Sequence, residues 1–159
     1  MYPSPSPLPE MARTKIAGEL NAVLADGLDL VTQIKTAHWN VKGPHFAALH
    51  PLFETFAVSL AERNDEVAER AVALGALVPG TARHAVKVSR IQELPAGITA
   101  GLELVAALAD RFETYLKGLR TARETAEANK DVDTVDLLTG MITEFEKHGW
   151  FLRASLEGV

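Results

Sequence analysis

Three of the chain's five histidines, His38, His45 and His50, fall within thirteen positions, and His50 is followed four residues later by Glu54. Asp65 and Glu69 repeat the same four-residue interval further along. Imidazole nitrogens and carboxylate oxygens together form a donor set for a divalent metal. Two imidazoles with three carboxylates suit iron(II), manganese or zinc better than calcium or magnesium. There is no cysteine, so thiolate nucleophiles, zinc–thiolate sites and disulfide frameworks are excluded. Any metal must be held by nitrogen and oxygen.

A chain of 159 residues is long enough for one domain with a real core. Its net charge of −5 argues against a broad nucleic-acid footprint. No apolar run approaches the roughly 18–20 residues that span a bilayer, and the first residues lack a basic stretch followed by an apolar one. The expected location is the cytoplasm, with the nucleoid as a second place of association and no membrane partner.

The elements that must position these side chains are helices. Residues 1–9, "MYPSPSPLP", carry four of the eight prolines, a pattern that predicts an extended, flexible arm. The arm is expected over 1–11 and the folded domain over 12–159. Helical periodicity then predicts four long segments, over about 13–41, 45–77, 98–129 and 132–156. The core stripes read Ile16, Leu20, Val23, Leu24, Val31 and Ile34 on the first, and Leu102, Val105, Ala109, Phe112, Leu116 and Leu119 on the third. Val135, Leu138, Ile142, Phe145 and Leu152 form the stripe of the fourth. The link from Gly80 to Gly97 is long for a bundle and contains "HAVKVSRIQEL", which suits a short extra helix. Nothing reads as a strand pair. An all-α, ferritin-like four-helix bundle with one long crossover between its second and third helices fits this order.

On the second helix, at ~100° per residue, Leu49, Phe53, Phe56, Leu60, Val67, Ala71 and Leu74 make the core stripe. Thr55, Ser59, Glu62, Arg63, Glu66 and Arg70 make a solvated face. A third strip holds His50, Glu54, Asp65 and Glu69 among Ala57, Val58, Ala61, Ala68 and Val72. Carboxylates set among small apolar residues point to an interface, where they must be paired or bind something. The two acid-bearing pairs are 15 residues apart, or ~22 Å of helix, too far for a single site. A two-fold axis near Ala57–Ala61 would set the helix antiparallel to a copy of itself, so that each pair faces the other pair of the partner. His38 would reach the same place from the end of the first helix. Glu-x-x-His motifs, the signature of a di-iron site inside the bundle, are absent.

The stretches "AHWNVKGPHFAALHPLFE" and "DEVAERAVALGA", with "DVDTVDLLT" and "WFL" in the fourth helix, resemble the DNA-protection-during-starvation (Dps) family, or miniferritins, over about residues 12–157. The resemblance implies a homo-dodecamer built from two-fold dimers, with ferroxidase centres at the two-fold interfaces. Each centre would take His38, His50 and Glu54 from one subunit and Asp65 and Glu69 from its partner, with room for two metal ions. It implies oxidation of Fe(II) to Fe(III) by hydrogen peroxide or dioxygen, storage of a ferric mineral inside the shell, and protection from oxidative damage. Asp131, Asp133 and Asp136 would line an iron-entry pore, and Trp39, with Trp150 as a second candidate, would stand near the centre to intercept radicals. The family often has Asp where this chain has Glu54.

Two features depart from the family pattern. The arm has no basic side chain in its first ten residues, and no basic extension follows the last helix. Phosphate-driven binding scales with the number of phosphates neutralised, so DNA binding is expected to be weak or absent. Pro51 follows His50, so the second helix either starts near Ala48 or kinks there. The alternatives are a nucleoid-compacting DNA-binding protein with little catalysis, and a dimeric helical protein whose interface merely holds paired charges. The plainer roles are helix capping for the three aspartates, packing for the tryptophans, and surface or packing positions for His45, His84 and His148.

Overall fold

The computed structural model describes residues 1–157. Five helices follow one another: α1 (Glu10–Asn40), α2 (Phe46–Ala73), α3 (Ala82–Val88), α4 (Gly101–Ala128) and α5 (Val132–Ala154). The four long ones form the bundle, and α3 lies on the crossover, packed against α1. No helix among the described residues is long and apolar enough to cross a membrane. An isolated parallel bridge joins Lys42 to Ala100 and ties the α1–α2 turn to the start of α4.

Large apolar side chains from all four helices meet in the centre, among them Leu20 and Ile34, Phe53 and Phe56, Phe112 and Leu116, and Leu138 and Phe145. All seven residues of the predicted α2 stripe are buried. On α4 the stripe is shifted: Leu104 and Leu108 are fully buried, whereas Leu102 and Ala109 are only partly so. A helix contacting two neighbours buries a face wider than one row of residues, and the predicted row followed one edge of it.

The α1–α2 turn is short because Gly43, at φ +95°, takes a backbone conformation that costs a glycine little. Helix α2 begins at Phe46 and runs through Pro51 without stopping. Its other end is closed by Gly75, at φ +89°. The Ala76 N–H donates to Ala71 O (3.0 Å) and the Gly75 N–H to Val72 O (2.8 Å), which is the paired closure that a left-handed residue permits.

The proline-rich arm is extended and docked on this same end. Tyr2 N–H donates to Gly75 O (2.6 Å), and Ser4 Oγ to Ala73 O (2.8 Å). Arg13 donates to Leu74 O (2.9 Å) and Leu8 O (3.2 Å). A Cβ on Gly75 would stand 2.5 Å from Tyr2 O, so the missing side chain also makes room for the arm.

The crossover is held by buried polar groups. Asp26, with no exposed surface, accepts from Arg90 through N (2.7 Å), Nε (2.8 Å) and Nη2 (2.6 Å). Buried Arg111 donates to Glu93 O (2.5 Å), Ala107 O (2.8 Å) and Gln33 Oε1 (3.3 Å).

Candidate metal centre

His38 lies in the last turn of α1 and His50 in the second turn of α2, and the short turn between the helices folds one onto the other. Their rings stack with centroids 3.8 Å apart and planes 22° apart. Phe46 stacks on the outer side of His50 at 5.0 Å. The hydrogen bonds are reciprocal: His38 Nδ1 meets His50 O at 2.8 Å, and His50 Nδ1 meets His38 O at 2.9 Å. A carbonyl oxygen only accepts, so each Nδ1 must carry the proton. In the neutral ring the lone pair is then on Nε2 in both residues, the arrangement that prepares an imidazole for a metal.

Glu54 completes the cluster. Its Oε2 lies 3.5 Å from His38 Nε2 and 2.5 Å from Lys35 Nζ. The Lys35 hydrogen bond is the main reason the Glu54 carboxyl sits below the usual range. Burial opposes it, and the charges of Lys35, His38 and His50 assist. The group is therefore a carboxylate at neutral pH, with a lysine holding one oxygen. Lys35 was not among the predicted site residues, though it lies three positions before His38, on the same face of the helix. Its ammonium also stands 5.7 Å from the Trp39 ring centroid.

Asp65 and Glu69 stay exposed further along α2. Among the described residues, no group of three histidine, aspartate or glutamate side chains converges as a metal site within one chain. The exposed part of α2 carries apolar side chains as well as acids, with Val58 49% and Val72 56% exposed, and Trp39 at the end of α1 is 69% exposed.

Of the predicted solvated face of α2, Thr55, Glu62 and Glu66 are exposed, whereas Ser59, Arg63 and Arg70 are half-buried. Ser59 donates to Glu144 of α5, and Arg63 Nε donates to the same carboxylate at 2.7 Å. Arg70 donates to Asp131 Oδ1 (2.6 Å) and Thr134 Oγ1 (2.8 Å). These polar residues face a second helix, because α2 has α1 on one side and α5 on the other.

Asp131 takes the capping role given above as the plainer one. It is 3% exposed; it caps α5 by accepting from Thr134 N (3.3 Å) and its charge is paired with Arg70. Its oxygens are committed inside the chain, which leaves Asp133 and Asp136 facing solvent. Trp150 is 56% exposed and packs beside Phe151. His45 is exposed, and His148 is packed between Phe56 and Phe145.

The model of the ferritin-like domain family matches residues 17–159. The DNA protection during starvation protein 2 of Bacillus anthracis is 41% identical over 137 residues, covering 86% of this chain and 93% of that one. Among solved structures, DpsA14 from Streptomyces coelicolor has a TM-score of 0.93 at 30% identity and covers 99% of this chain and 93% of its own. The Dps protein of Vibrio cholerae O1, described as a member of a broad superfamily of ferritin-like diiron-carboxylate proteins, has a TM-score of 0.90 at 31% identity, with 94% of each chain covered. The likeness runs through nearly the full length of chain and relatives alike, and the chain belongs to the Dps family of ferritin-like proteins.

Proposed function

We propose that this protein is a ferroxidase that oxidises Fe(II) and stores the ferric product inside a dodecameric shell in the cytoplasm, removing peroxide as it does so. The observation that carries this reading is the reciprocal histidine pair, whose bonded Nδ1 atoms leave both Nε2 atoms available, with Glu54 Oε2 3.5 Å from that of His38. Two imidazoles and a carboxylate are three donors. An antiparallel second copy would bring Asp65 and Glu69 to them, giving two identical sites per dimer, each with room for two ferrous ions. Fe(II) is the substrate here. Nitrogen and oxygen donors of this charge hold Fe(II) and favour Fe(III) more strongly, because added negative charge stabilises the higher oxidation state. Peroxide takes one electron from each of two ferrous ions, so no hydroxyl radical is released. Lys35 holds Glu54 in place until a cation displaces its ammonium. Trp39, beside His38, would intercept stray oxidising equivalents. Asp133 and Asp136 would draw Fe(II) inward by focusing the field at a pore. The arm carries no basic side chain in its first ten residues and is docked on α2, so DNA binding is weak or absent in this reading.

The test is ferric absorbance after addition of Fe(II) and peroxide to the apoprotein, compared with the His50→Ala, Asp65→Ala double variant. Equal rates would sink the assignment. Mixing the two single variants before assembly is sharper. Half the dimers are then mixed and each mixed dimer keeps one intact site, so ~25% of the wild-type sites should return. No recovery would refute sharing between subunits.

A further inference from the structure

The last four carbonyl groups of a helix have no partner inside it. At the end of α2 these belong to Ala71, Val72, Ala73 and Leu74. The chain's own turn meets the first two, through the N–H groups of Ala76 and Gly75. The other two are met from the N-terminal side: Ser4 Oγ donates to Ala73 O (2.8 Å) and Arg13 Nη1 to Leu74 O (2.9 Å). Tyr2 N–H takes Gly75 O, one residue beyond (2.6 Å). The Arg13 guanidinium also brings a positive charge to the negative end of the helix dipole, and its Nε ties back to the arm at Leu8 O (3.2 Å).

The serine–proline alternation suits the arm to this contact. Pro3, Pro5, Pro7 and Pro9 each fix φ and carry no N–H. Between them, Ser6 N–H donates to Ser4 Oγ (3.2 Å) and Leu8 N–H to Ser6 Oγ (3.3 Å). The segment is held extended by its own side chains, so docking it orders few torsions.

Glu69 lies one turn before Ala73, and its side chain is exposed. Its place is therefore set by the backbone beneath it. Without donors from the arm, the last turn of α2 would keep unpaired carbonyls, and helix ends of that kind open locally at little cost. We propose that the arm is a positioning element of the metal centre: Tyr2, Ser4 and Arg13 hold the last turn of α2 closed, and the closed turn holds Glu69 where a second copy's histidines can share a metal with it. The assignment rests on the shared-site reading above and adds to it three residues that touch no metal.

The test is a Co(II) titration followed by visible absorption, which reports both affinity and ligand set. It compares wild type, a chain lacking residues 2–8, Ser4→Ala and Ser4→Thr, each with and without Glu69→Ala. Loss of residues 2–8 should weaken Co(II) binding about fivefold or more, the worth of one hydrogen bond, and should speed hydrogen exchange at the amides of residues 73–76. Ser4→Ala should weaken binding less, and Ser4→Thr, which keeps the hydroxyl, should match wild type. In the Glu69→Ala background none of these changes should weaken binding further, because the ligand that the arm places is already gone. Where the shortened chain does not fold, the Ser4 pair decides. If the arm variants bind Co(II) within about twofold of wild type, or weaken it equally in both backgrounds, the positioning role is refuted while the shared site stands. If Glu69→Ala alone binds Co(II) as wild type does, with the same spectrum, Glu69 is not a ligand, and the shared site falls together with the arm's role in it.

Discussion

Removing either partner of the Asp26–Arg90 pair should have unequal consequences. Arg90→Ala strips two of the three donors from a carboxylate that has no exposed surface, leaving it only a backbone N–H. A buried charge deprived of its partner destabilises by about 3–5 kcal/mol. Asp26→Ala leaves a guanidinium that is already 41% exposed and can turn to water. The loss there is about 1–3 kcal/mol, from the charge-assisted hydrogen bonds and the orphaned Arg90 N–H. The difference of roughly 2 kcal/mol is readable as a shift in urea midpoint at fixed protein concentration. The double variant should match Asp26→Ala alone, because no uncompensated charge remains. Equal losses, or a greater loss for Asp26→Ala, would show that burial of the carboxylate does not govern this contact.

Burial holds the His148 imidazole below its ordinary value of 6.5, with the Glu144 charge opposing. The unfolded chain takes up that proton more readily, so this residue's contribution is whole above pH 6.5 and is lost as the pH falls through it towards the lower folded value. His148→Phe should flatten the decline in urea midpoint between neutral pH and about pH 5, and an unchanged slope would assign it to other groups. Lys35→Met removes the ammonium that a metal must displace from Glu54 and should tighten zinc binding severalfold in a competition titration at low salt; weaker binding would mean that the lysine's orienting role dominates. Gly75→Ala puts a Cβ into a positive-φ position and against Tyr2 O, and should cost about 1–3 kcal/mol. It should also abolish protection of the Tyr2 amide in hydrogen exchange, and retained protection would mean that the arm is not held there.

Periodicity made the α2 core legible because its seven stripe residues are large and regularly spaced. It was less secure on α4, where Leu104 and Leu108 lie beside the row that was chosen. The four-residue spacing of His50 with Glu54 and of Asp65 with Glu69 is legible in the sequence because it sets each pair on one face of a helix, and all four do lie on α2. Lys35 escaped because a lysine on a helix is ordinarily a solvated charge, and only the position of Glu54 across the turn shows what it meets. Ser59, Arg63 and Arg70 look solvated in a single-helix projection, which holds no information about α5. The docking of the arm rests on backbone carbonyls at the end of α2. Composition says nothing about those; it gives only the extended form of "MYPSPSPLP".

The two histidine rings are each oriented by the other's backbone carbonyl. Those carbonyls belong to the main chain, so replacing either histidine takes away one ring of the stack but leaves the carbonyl that holds its neighbour's Nδ1. Each imidazole therefore keeps its orientation when the other is lost, and the turn between α1 and α2, which sets the two carbonyls, is the shared part that both depend on. Glu54, anchored by Lys35 on an independent contact, is free to vary in length without disturbing them.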